Sequence, residues 1–155
     1  MRGDGRGYRL ERIDALKAQD LAELSELSTA EGFRFIEGLA SDSAGGAPTF
    51  EAPGAFGYAW YLGDKLVAVG GMTLDPYVSE KEGRVRRVYV HPEHRGTGLG
   101  RRLLEAILEE GRATYTLFTL RAATPEAEAL YLSLGFQPSS LPETTHEMRL
   151  LQEPR

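Results

Sequence analysis

The chain of 155 residues has no cysteine. Disulfides, cysteine-zinc sites and a cysteine nucleophile are therefore excluded. No apolar run approaches the ~20 residues of a membrane-spanning helix. The opening Met1-Arg2-Gly3-Asp4-Gly5-Arg6-Gly7 has no apolar stretch, so it does not read as a signal peptide and is expected as a loose tail. Positive charge is also in deficit: 18 Lys and Arg against 23 Asp and Glu give a formal net charge of −5. Nucleic acid is a poor partner for such a surface. No repeat, low-complexity block or second composition appears. A 41% hydrophobic, 26% charged chain of this length reads as one globular domain over 1–155 with a single substantial core. A cytoplasmic place without membrane contact fits.

Periodicity then locates elements. Tyr8–Ile13 alternates as a strand, and Asp14 can cap the segment after it. Leu21, Leu24 and Leu27 share a helical face, and a second short helix is expected through Phe33, Ile36 and Leu39. Ser41–Pro53 is Gly-, Ser- and Pro-rich and reads as a loop. Phe56–Leu62 and Lys65–Leu74 flank Gly63-Asp64 as a hairpin, and 75–83 reads as a loop. Arg84–His91 is the central strand. Arg86, Val88 and Val90 would share one face, and Val85, Arg87 and Tyr89 the other. Charge and apolarity thus mix on both faces, which fits a strand buried on two sides, a bulge or an opening. Leu99, Leu103, Leu104, Ile107 and Leu108 stripe a helix over about 98–112. Strands are expected at 115–122 and 144–151. Between them a helix starts at the Thr124 cap and Pro125 and stops at Gly135.

The chemistry concentrates where the central strand meets its helix, in Arg95-Gly96-Thr97-Gly98-Leu99-Gly100-Arg101. Glycines at alternate positions bare the backbone at a helix start, where amides lack intrahelical partners and the dipole is positive. Such a place suits phosphate oxygens. A P-loop would need Lys followed by Ser or Thr after its last glycine, and Arg101-Arg102 stand there instead. A dinucleotide fingerprint would space its third glycine one residue later. Arg84, Arg86, Arg87, Arg95, Arg101 and Arg102 gather around the loop. They suit a small polyanion, or else pair with Glu80, Glu82, Glu93 and Glu105.

The motif resembles the arginine-or-glutamine, x, x, glycine, x, glycine-or-alanine loop of the GNAT N-acetyltransferase superfamily. Arg86–Val90 resembles that family's central strand, and Ala129–Leu134 with Gly135-Phe136 resembles its late helix. The resemblance implies a single-domain bacterial type with an α/β fold. A mixed, mostly antiparallel sheet would carry a splayed, bulged central strand pair and about four flanking helices. It implies acetyl-CoA as cosubstrate, without metal, and direct acetyl transfer to a primary amine of a small molecule or an exposed protein amine. A homodimer is one assembly it allows. The pyrophosphate would rest on Arg95, Gly96, Thr97, Gly98, Leu99, Gly100 and Arg101. The backbone of Val88 and Val90 would pair with pantetheine amides. Thr124 stands where the family often has an asparagine against pantetheine.

Tyr131 aligns with the tyrosine that protonates the departing thiolate, although Ala127, Leu130, Tyr131 and Leu134 also form a packing stripe. The strand lacks the usual acid, which leaves Glu82 as a base through water; His91, His94 and His146 also titrate usefully. Phe33, Phe35, Trp60, Asp75, Tyr77 and Glu80 are candidates to border the acceptor. The missing strand acid keeps open a second reading, a non-catalytic acyl-CoA sensor of the same fold. A third is a structural domain whose glycine loop holds nothing.

Overall fold

A hairpin turn fixes the middle of the sheet. β3 (Phe56–Leu62) and β4 (Lys65–Leu74) pair antiparallel across Gly63-Asp64, with Gly63 at φ +62°. β2 (Tyr8–Ile13) pairs antiparallel with β3. The computed structural model describes residues 2–3, 7–13, 18–32, 50, 53–74 and 81–150. Arg2–Gly3 forms a short β1 against β2, so the stretch expected as a loose tail contributes two residues to the sheet. The remaining strands are β5 (Glu82–Val90), β6 (Leu117–Leu120), β7 (Gln137–Pro138) and β8 (His146–Arg149). The eight run in the order β1-β2-β3-β4-β5-β6-β8-β7. Among the described strands only β5 and β6 pair in parallel, joined through the helix α2 (Leu99–Gly111).

β5 starts two residues before its expected boundary. Glu82 and Gly83 ladder with Leu117 and Phe118, and Gly83 has room only for hydrogen. A Cβ there would lie 2.5 Å from Met72 Sδ and from the Tyr115 ring. β6 is shorter than the expected 115–122, because its ends leave the ladder. The Tyr115 hydroxyl donates to the Gly54 carbonyl (2.5 Å), and the Ala122 amide donates to Thr145 Oγ1 (2.8 Å).

Two departures from regularity shape β5. Its ladder to β6 ends at Arg84↔Thr119. The strand continues to Val90, so the two diverge like a fork. On the other side, Gly71 pairs with Arg86 and Val69 with Tyr89, leaving Arg87 and Val88 opposite Gly70. This is a bulge, with Arg87 at φ +59°. A Cβ on Gly70 would stand 3.0 Å from Val88 Cγ2, so glycine lets the bulged residue close down. The inserted residue changes parity. Val85, Val88 and Val90 all pack in the core under α2, and Tyr89 in the opposite core. This corrects the strict two-face alternation, which set Val85 apart from Val88 and Val90.

α2 lays Leu99, Leu103, Leu104, Ile107 and Leu108 into that first core, all buried. α1 (Ala18–Ala30) brings Leu24 to the second, against Ile13, Phe50, Leu66 and Val69. α3 (Pro125–Leu134) is capped by Thr124, whose Oγ1 accepts from the Ala127 amide (3.1 Å), and it ends at Gly135, φ +111°. These are three α-helices among the described residues. The expected helix through Phe33, Ile36 and Leu39 lies outside them, as do Asp14 and the loop residues 41–49, 51–52 and 75–80.

Candidate active site

The glycine loop forms an open cradle. After β5, Pro92–His94 makes one 3₁₀ turn. Gly96 and Gly98 then adopt φ +77° and +85°, with no atom of the described residues within 4 Å of where a Cβ would stand. Gly98 is the N-cap of α2, no side chain among the described residues caps this helix, and its first turn carries no acid. Free amides at a positive dipole end are thus presented to an anion. The Thr97 hydroxyl donates to the His94 carbonyl (2.6 Å), which shapes the loop from within; Thr97 does not line the cavity below.

The fork opens into a cavity of about 1210 Å³. Of the expected site residues it brings together Val88, Val90, Arg95, Gly96, Gly98, Leu99, Gly100, Arg101, Thr124 and Tyr131. The cradle lies at one end and Tyr131 on α3 in the wall. Tyr131 is 7% exposed and stacks edge-on to Phe136 at 5.7 Å. Burial pushes its hydroxyl up to about 12, so it keeps its proton at neutral pH. Packing and facing the cavity are both true of this side chain.

Arg95 is committed elsewhere. Its guanidinium grips Glu31 at the end of α1 through two bonds (2.9 and 2.8 Å), its Nε donates to the Val90 carbonyl (3.0 Å), and it lies 5.3 Å over the Tyr89 ring. The Tyr89 hydroxyl donates to the same carboxylate. Glu31 is consequently held below the usual carboxylate range, first by Arg95 and then by Tyr89. No local pattern signals a partner 64 positions away.

The family model for the acetyltransferase (GNAT) domain matches residues 55–138. The chain belongs to the GNAT acetyltransferase family. The mycothiol acetyltransferase of Streptosporangium roseum is 41% identical over 76 residues, covering 49% of this chain and 21% of that protein. The N-alpha-acetyltransferase RimI of Mycobacterium tuberculosis is 35% identical over 75 residues, 48% of each chain. The chain thus spans half or less of these curated relatives. A crystal structure from Exiguobacterium sp. 255-15 superposes with a TM-score of 0.77 at 29% identity, over 92% of this chain and 93% of that one. The forked, mostly antiparallel sheet is the GNAT fold.

Glu82, Trp60 and His146 sit away from the GNAT cavity. Glu82 begins β5 and does not line it. Trp60, expected near the acceptor, is a core residue: it is 2% exposed, and its indole N–H donates to the Leu99 carbonyl (3.1 Å). Phe33, Phe35, Asp75, Tyr77 and Glu80 lie outside the described residues. His146 is buried between Thr145 Oγ1 (2.8 Å) and Glu128 (3.0 Å) and lies outside the lining. His94 lines the cavity and meets the Tyr8 hydroxyl at 2.7 Å; burial and then His91 lower its pKa. His91, Glu93 and His94 bring three ligand atoms within 4.8 Å of one another. Their chemistry suits a cation poorly. His91 Nδ1 accepts the Glu93 amide proton (3.1 Å), which leaves its proton on Nε2, 3.2 Å from Glu23. Arg101, bonded to Ser133 Oγ at 3.0 Å, ties α2 to α3.

No helix among the described residues is long and apolar enough to cross a membrane.

Proposed function

We propose that this GNAT protein transfers an acetyl group from acetyl-CoA directly to a primary amine. The observation that carries the reading is one cavity lined both by the glycine start of α2 and by Tyr131, at the open fork of β5 and β6. In this reading the amides of Gly98–Arg101 take the pyrophosphate. The β5 edge beyond Arg84, around Val88 and Val90, offers backbone groups to the amide-bearing arm. The amine nitrogen attacks the thioester carbonyl, the C–N bond forms, the C–S bond breaks, and Tyr131 gives its proton to the leaving sulfur. A general acid so placed contributes ~10²–10⁴-fold. The amine proton leaves to solvent, or to Glu82 through water.

Glu82's place outside the lining favours a second reading, a sensor that binds acyl-CoA without turnover. Two measurements separate them. Acetyl-CoA at ~100 times its dissociation constant stabilises a one-site fold by ~2.7 kcal/mol, which is roughly 5–10 °C in melting temperature. Thiol released with an amine present is then titrated, and a chain without cysteine adds no background. Stabilisation with release supports the transferase. Stabilisation without release supports the sensor. Absence of both would leave the family fold without this activity.

A further inference from the structure

Two clasps of the same make stand at opposite ends of α2. Near its last turn Glu110 accepts from Nε and Nη2 of Arg12 (2.9 and 2.8 Å) and from the Tyr58 hydroxyl (2.7 Å). Before its first turn Glu31 accepts from both terminal nitrogens of Arg95 and from the Tyr89 hydroxyl. Each joins a carboxylate to a guanidinium fork and a tyrosine from distant parts of the chain. The Glu110 clasp binds α2 to β2 and β3, and none of its three residues lines the cavity. All three of the Glu31 clasp line it, and Arg95 stands directly before Gly96.

The stretch after Arg95 needs such a hold. Gly96 and Gly98 sit at positive φ, and glycine loses the most freedom on ordering. No atom of the described residues lies within 4 Å of either Cβ position, so no described side chain packs them in place. Bonds at the two ends hold them instead. At the far end the Arg102 amide donates to the Gly98 carbonyl (3.1 Å), and the Trp60 indole to that of Leu99. At the near end Arg95 Nε donates to the Val90 carbonyl (3.0 Å), while its fork is fixed on Glu31. Glu31 is itself anchored, because its amide donates to the Leu27 carbonyl in the last turn of α1 (3.1 Å).

We infer that Glu31 is a positioning residue for the diphosphate of the cosubstrate, acting through Arg95: the clasp holds the glycine loop in its binding shape before the ligand arrives. This deepens the acetyl-CoA reading and rests on it. A loop ordered in advance spares the ligand the cost of ordering it. In this role Arg95 contributes its grip on the loop rather than its charge. The pairing also has a cost, since Glu31 offsets a positive charge that would otherwise draw a phosphate. Removing the Glu31 charge therefore sets two effects of opposite sign against each other. Water reaches both side chains of the pair, so the charge effect is screened and the loss of grip prevails.

The test is a calorimetric titration of acetyl-CoA into the intact chain, which needs no acceptor. Glu31→Gln is expected to raise Kd by about three- to ten-fold, the size of one or two ordering costs returned to the ligand. Glu110→Gln opens the twin clasp and is the control. It should lower the melting temperature and leave Kd where it was, which separates positioning from general loosening. Arg95→Lys keeps the charge and loses the fork, and should raise Kd as Glu31→Gln does. The double variant should bind no more weakly than the weaker single one, since both break the same link. A Kd in Glu31→Gln that is unchanged or lower overturns the inference, as does an equal rise in Glu110→Gln or an additive loss in the double variant. All three leave acetyl-CoA binding standing. Failure of acetyl-CoA to bind the wild-type chain is a different result, and removes the acetyl-CoA reading and the inference with it.

Discussion

Tyr131 and Glu31 do opposite things with their surroundings. Burial keeps Tyr131 protonated, its pKa about 12, so it can donate throughout the physiological range. Tyr131→Phe keeps the ring against Phe136 and removes the proton. Turnover should fall by ~10²-fold or more while acetyl-CoA affinity, read by thermal shift, changes little. An unaltered kcat would return Tyr131 to a packing role. Glu31 is the charged partner. Its folded pKa is depressed below 4.5, so the unfolded chain binds its proton first. Its contribution is complete above about pH 4.5 and is lost as pH falls through the folded value. The Arg95 and Glu31 side chains are 43% and 32% exposed, so the effect is small. Glu31→Gln should lower the neutral-pH melting temperature by roughly 1–4 °C and flatten its acid slope. Parallel acid slopes in variant and wild type would show that the carboxylate carries none of that dependence.

At the level of elements, the sequence is most legible where the chemistry is local. β2, β3, β4 and α3 begin and end where alternation, turn residues, the Thr124 cap and Gly135 put them. β1 and β7 have two residues each, too few for any period. β5 starts earlier than its pattern suggests, because Glu82-Gly83 looks like loop and is recruited by β6, a partner 35 residues away. The glycine loop is readable because its demand is on the backbone. The Glu31 clasp and the Trp60 placement are not, since both depend on contacts between distant elements. The α2 start gives the element-scale prediction. Gly98→Asp puts a Cβ at φ +85° and an anion into the cradle. Acetyl-CoA affinity should drop by roughly ten-fold or more, ~1.4 kcal/mol, as calorimetry would register. Unchanged affinity would move the phosphate site elsewhere.

At the scale of the whole molecule the sheet is two hydrogen-bonded halves, β1–β5 and β6–β8, stitched by three residue pairs at 82–84 and 117–119. Amide exchange tracks such architecture. Saturating acetyl-CoA should slow exchange at Val88–Val90 and at the first turn of α2, while α1 amides stay near their free rates. Protection spread evenly over the chain would indicate general tightening instead. An unpaired strand edge is ordinarily a hazard, a template on which another chain can polymerise. Here the two edges part around a cavity rather than lying open side by side. The vacancy in the ladder is therefore shaped for a guest, and a guest with its own amides can lie there as a borrowed strand. Each loading would complete the sheet and each departure would undo it. On the transferase reading each turnover would repair the fold afresh, and the tightness of that repair would limit how fast product leaves.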